Sequence, residues 1–134
     1  MLDMLKLAAK IALPTNEQDK RGFLIGAVGI RKDQTMVFSK NGAVYSTSID
    51  IEDYQLIPTS HAEGRVLRKM DYGGVLYIAR VKRKDYTLAL SAACPMCQIK
   101  IKSKGIRKVY YTINDFQYGI WYVKKDCHII IGKE

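Results

Sequence analysis

An α/β domain is what this sequence predicts, on three observations. The opening residues carry a helical period. Apolar, β-branched runs of strand length recur between turn signals. Two short groups of metal-ligating residues, His61-Ala62-Glu63 and Cys94-Pro95-Met96-Cys97, each precede a helix-like run. At 134 residues the chain reads as one domain, 1–134, long enough to bury a real core.

Taken in order, residues 2–13 place Leu2, Leu5, Ala9 and Ala12 on one face and Lys6 and Lys10 on the other, and Pro14 ends that helix. Residues 23–30 form a buried strand. Lys32-Asp33-Gln34 turns the chain, and residues 35–39 return as a hairpin partner. Asn41-Gly42 follows directly. Residues 43–60 show no clear period and hold Tyr45, Tyr54 and three acids, so a lid or specificity loop is expected. Thr59 or Ser60 can cap a helix over residues 61–71, with Val66, Leu67 and Met70 as its apolar stripe and Gly73-Gly74 as its stop. Residues 75–81 read as a strand, Lys82-Arg83-Lys84-Asp85 as a basic turn and residues 86–90 as a further strand. The cationic cluster of residues 80–84 is read as a solvated hairpin tip rather than a phosphate holder. Residues 94–104 form the second motif helix, with Cys97, Ile99 and Ile101 partly inward and Gly105 as the stop. Strands follow at 109–113 and 120–123, joined too closely for a helix and therefore antiparallel.

The two motifs carry the chemistry. One imidazole and two thiolates are good zinc donors, and three protein ligands leave a fourth position for water, which is the pattern of a catalytic site. Zinc lowers the pKa of a water that it binds towards ~7. Glu63, close to the metal without binding it, suits a general acid/base. Cys94 and Cys97 are three apart and share one face of a helical turn. His61 and Glu63 are two apart and converge only at the very start of a helix. Helix N-termini directed at the metal favour thiolate.

His61-Ala62-Glu63, Ala93-Cys94-Pro95-Met96-Cys97 and the preceding Lys40-Asn41-Gly42 resemble the zinc-dependent cytidine/deoxycytidylate deaminase superfamily, over about residues 20 to 125. The resemblance implies a three-layer α-β-α fold with a central five-stranded mixed sheet and Zn2+ at two helix ends. It implies that His61, Cys94 and Cys97 bind the metal, that Glu63 shuttles protons and that Asn41 holds a sugar. Backbone groups at Ala62 and Ala92 would meet the base edge, and Tyr54 could stack on it or cover a core edge. Two departures stand out. Proline usually precedes the first cysteine in the family, whereas Ala93 stands there and Pro95 follows it. The compact nucleoside enzymes usually have cysteine where this chain has His61.

Composition narrows the partners. Twenty-two Lys and Arg against 13 acids leave a net charge of +9, which suits an anionic partner. No apolar run approaches the ~20 residues of a membrane span, and Asp3, Lys6 and Lys10 interrupt any signal-like core, so a cytoplasmic enzyme without membrane contact is expected. Three cysteines do not make a disulfide framework, and Cys127-His128 reads as part of a partly buried strand. The expected activity is hydrolytic conversion of cytosine to uracil on a small nucleotide or nucleoside, deoxycytidylate foremost. The alternatives are a base within RNA or single-stranded DNA, a purine base, and a zinc-bound module without turnover. A homo-oligomer is expected by analogy alone.

Overall fold

The computed structural model describes residues 2–14, 24–41, 47–50, 55–58, 62–93 and 95–132; within 47–50, 55–58 and 62–64 it describes the backbone only. The elements run α1 (Asp3–Ala12), β1 (Leu24–Ile30), β2 (Met36–Lys40), β3 (Thr47–Asp50), β4 (Gln55–Pro58), α2 (Ala62–Leu67), β5 (Val75–Val81), β6 (Leu88–Ala89), α3 (Pro95–Ser103), β7 (Lys108–Thr112), β8 (Gln117–Tyr122) and β9 (Cys127–Gly132).

The main sheet is mixed, in the order β2-β1-β5-β7-β8-β9, with β6 paired to β5. Among the described residues it has seven strands rather than the expected five. Five of the strands read from the sequence form the consecutive run β2-β1-β5-β7-β8, which β9 and β6 extend. β5 and β7 are parallel, and the other pairings are antiparallel, including β7 with β8. The parallel pair needs a long crossover, which contains α3.

Strand alternation divides the core between two faces. Val28 and Ala79 pack with Ala8 of α1, and Leu24 and Val81 pack with Ala12. On the other face Ala27, Leu76, Ile78, Val109 and Trp121 meet Val66 and Leu67 of α2 and Ile101 of α3. Helices therefore cover both sides of the sheet. Gly26 permits the α1 contact: a Cβ there would lie 2.0 Å from the Ala8 carbonyl oxygen.

Several boundaries differ from expectation for local reasons. β3 and β4 pair as a separate antiparallel hairpin inside the stretch read as a loop. Four-residue strands are too short to display a period. α2 ends at Leu67, and Lys69 and Met70 then make tighter i→i−3 bonds, so the helix does not reach residue 71. The strand expected at 86–90 shrinks to Leu88–Ala89. Tyr86 sits at φ 59, and the Asp85 carboxylate accepts from both the N–H and the hydroxyl of Thr87, which prolongs the turn. Ile99 is outward and 63% exposed, because Cys97 and Ile101 occupy the opposite face of α3. α3 ends in a Schellman motif. Gly105, at φ 64, donates to the Lys102 carbonyl, and Ile106 donates to that of Ile101. β9 is an exposed edge strand, not a partly buried one, because nothing covers Ile129, Ile130 and Ile131 among the described residues.

Candidate active site

The start of α3 and the start of α2 lie towards the same end of the sheet. Arg65 of α2 donates to the Lys40 carbonyl, which is level with Gly26, whereas Met70 lies against Gly29 near the far end of β1. α2 thus advances from the Asn41 end of the hairpin towards the Ile30 end. α3 advances in the same sense along β7. Ser91, just before it, bonds at Thr112, and Arg107, just after it, donates to the Gly74 carbonyl beside the start of β5. Both helices therefore start at the carboxyl end of the parallel pair β5 and β7, the end where ligands sit in open α/β sheets.

Asn41 follows the last residue of β2 at this same end. Its side-chain oxygen accepts from the Ile25 N–H at 3.0 Å, and its own N–H donates to the Ile25 carbonyl at 3.1 Å. The side chain is thereby tied to β1 across the hairpin.

Residues 89–93, the approach to the cysteine motif, are held by a polar cluster that sequence reasoning overlooked. The Ser91 hydroxyl lies 2.9 Å from the Ile78 carbonyl and 3.0 Å from the Thr112 hydroxyl, and accepts from the Thr112 N–H at 2.9 Å. The Thr112 hydroxyl donates to the Ala89 carbonyl at 2.7 Å and accepts from the Arg80 N–H at 3.1 Å. Both side chains are buried. Desolvation makes such a network costly to break, so it sets the path of the chain into α3. Gln98 adds a second tie, donating from Nε2 to the Ala93 carbonyl at 2.9 Å. A serine and a threonine 21 residues apart give no local pattern that could have announced them.

Cys97 is in the first turn of α3, 4% exposed and outside any disulfide. Pro95 is the first residue of that helix, where its missing N–H is no loss, as its place in the motif suggests. Ala92 is exposed, and Ala93 packs against the core. Ala62 opens α2 and Glu63 is its second residue, of which the backbone alone is described. His61, Cys94 and Tyr54 lie outside the described residues. Among the described residues no three metal-ligating side chains cluster. The chemistry of the donor set still fits zinc: a buried thiol three residues after a second cysteine in the sequence, with an imidazole as the third donor.

Cys127 and His128 are not brought to this end. They begin β9, on the sheet edge. His128 Nδ1 lies 2.9 Å from the Tyr111 hydroxyl, and its ring stacks on Trp121 with centroids 5.7 Å apart. The 82–85 turn is exposed, as its reading as a hairpin tip expects. No helix among the described residues is long and apolar enough to cross a membrane.

A family model described as the cytidine and deoxycytidylate deaminase zinc-binding region matches residues 2–113. Among curated proteins, none matches the chain.

Proposed function

Because the chain belongs to the cytidine and deoxycytidylate deaminase family, we propose that it is a zinc-dependent enzyme that hydrolyses cytosine to uracil on a small nucleotide or nucleoside, deoxycytidylate foremost. One observation carries the reading: a single match, over residues 2–113, spans His61, Glu63, Cys94 and Cys97 together. The reaction consumes one water and releases ammonia, in a single cytoplasmic domain.

In this reading His61, Cys94 and Cys97 hold Zn2+. The bound metal supplies Lewis-acid activation of the attacking water. Glu63 accepts the water's proton, passes it to the ring nitrogen, and moves the next one to the departing amine. Asn41 meets the sugar. Its Oδ1 accepts from the Ile25 N–H, which holds the side chain at this end of the sheet. Backbone groups of Ala62 and Ala92 read the base edge, and Tyr54 stacks on the base. The Ser91–Thr112 cluster supports the role given to Ala92, because it anchors the neighbouring backbone. The reading also includes a homo-oligomer. The exposed isoleucines of β9 support it, since an apolar open edge invites a partner.

A substrate panel read by mass spectrometry tests the reading. The protein and its Glu63→Ala variant each meet cytidine, deoxycytidine, deoxycytidylate, deoxycytidine triphosphate, cytosine- and adenine-containing oligonucleotides and tRNA. Turnover of deoxycytidylate, reduced by about 10²–10⁴-fold or more in the variant, is the expected result. Turnover confined to oligonucleotides or tRNA overturns the small-nucleotide assignment. A fully zinc-loaded protein without turnover on any substrate overturns the enzyme.

A further inference from the structure

At the other end of the sheet, remote from the starts of α2 and α3, a trough of about 740 Å³ opens between the end of α3, the start of β7 and the β8–β9 turn. Five cations line it: Lys102, Arg107, Lys108, Lys124 and Lys125. In sequence they form two separate basic groups. Antiparallel pairing of β7 with β8 sets Lys108 opposite Tyr122, and the Val123 N–H donates to the Arg107 carbonyl at 3.1 Å, which joins the two groups into one surface. Asp126 is the one acid among the described lining residues, and its Oδ1 accepts the Trp121 indole N–H at 2.9 Å. The concavity thus concentrates positive charge with little internal neutralisation, which attracts anions far better than the same lysines scattered over a convex surface.

The rim carries aromatic surface as well. Tyr72 is 73% exposed, and its ring lies across Gly105, where a Cβ would meet ring atoms at 2.3–2.6 Å. The glycine therefore serves twice, turning the chain at positive φ and seating the ring. Tyr122 also lines the trough, with the Lys108 ammonium 5.4 Å from its ring centroid.

We infer that this trough docks the phosphate backbone of a single-stranded nucleic acid, with Tyr72 offering a face for one base. Five cations spread over three segments exceed what one phosphate group can engage, so phosphates in series match them better than a mononucleotide does. A positively charged, open groove beside an exposed aromatic ring is the arrangement by which single strands are held without sequence preference. The inference is independent of the deaminase reading, because it concerns binding at the end of the sheet away from Glu63.

Fluorescence anisotropy with a fluorescein-labelled oligothymidylate and the matching oligouridylate tests it over a salt series. The unmodified protein is expected to bind with an affinity that falls steeply with salt. Lys124→Glu with Lys125→Glu should weaken binding by about ten-fold or more and make the salt dependence shallower by about one power for each phosphate no longer neutralised. Lys6→Glu with Lys10→Glu, the same charge change on exposed positions of α1 across the sheet, should leave binding within about two-fold. Tyr72→Ala should weaken binding several-fold without changing the salt dependence, since stacking releases no counterions. Equal losses from both lysine pairs would show attraction by the net charge of +9 alone and overturn the site. Displacement of the strand by sodium triphosphate at equal phosphate concentration would overturn the strand in favour of a small polyphosphate. Failure of the unmodified protein to bind either oligonucleotide would overturn the proposal altogether. None of these outcomes depends on turnover.

Discussion

The Ser91 hydroxyl touches four groups of Ile78 and Thr112, on two different strands, and stands three residues before Cys94. Ser91→Ala would leave the buried Thr112 N–H without its acceptor, at a cost of about 1–3 kcal/mol. Chemical denaturation should show that destabilisation. If the cluster positions the path into α3, turnover should fall by more than the fraction unfolded explains, whereas Ser91→Thr should restore part of it. Tyr111 gives a second prediction at this scale. Burial raises its phenol above the ordinary value of 10.0, so the folded state favours the protonated form. Its contribution is complete below the unfolded pKa and is lost as pH rises through the folded one. Urea midpoints should therefore fall above about pH 10, and less steeply in Tyr111→Phe. An equal alkaline fall in that variant would assign the effect to other groups. At the candidate site, Cys97 was legible because a short motif names it. Ser91 was not, because its meaning lies in a partner distant in sequence.

Each helix shows how far local pattern reaches. α1 was readable from its period, although the buried residues are Leu5, Ala8 and Ala12, with Ala8 in place of Ala9 and Leu2 only partly covered. Its distance from the sheet was not readable, because it depends on Gly26 in β1 meeting the Ala8 backbone. Gly26→Ala inserts a methyl where an oxygen would lie 2.0 Å away, and backbone cannot step aside as a flexible side chain can. Destabilisation of about 1–3 kcal/mol or more is expected, read as a lower thermal midpoint. A neutral result would mean that α1 packs less closely than described. α3 ended where Gly105 promised, while α2 stopped early. The hairpin of β3 and β4 went unread because two four-residue strands carry too few alternations to distinguish them from loop.

The molecule as a whole divides its roles between the two ends of one mixed sheet. The starts of α2 and α3 and Asn41 gather at one end, and the cationic trough occupies the other. If Cys94 and Cys97 share a metal with His61, binding ties α2, α3 and the core beneath them in one linked equilibrium. Chelation of purified protein should lower its melting temperature, and about one equivalent of zinc should restore it. His61→Ala should already be less stable and respond little to the chelator. A melting temperature indifferent to chelation in protein shown to contain zinc would place the metal elsewhere. The five-strand expectation, β2-β1-β5-β7-β8, captured the centre of the sheet, while β6 and β9 extended it.

What the sequence determined by itself was the family and most of the succession of elements, the β3–β4 hairpin excepted. Ligand types at short spacing, a helical period and β-branched runs are local properties, legible wherever the chain goes. The tertiary structure alone decided which helix starts share an end of the sheet, that Ser91 and Thr112 pin the approach to Cys94, and that two separate basic groups close into one trough. It also decided that the isoleucines of β9 stay exposed among the described residues. Each of these depends on strand pairing between residues far apart in sequence, and no local pattern encodes a neighbour that only the folded sheet supplies.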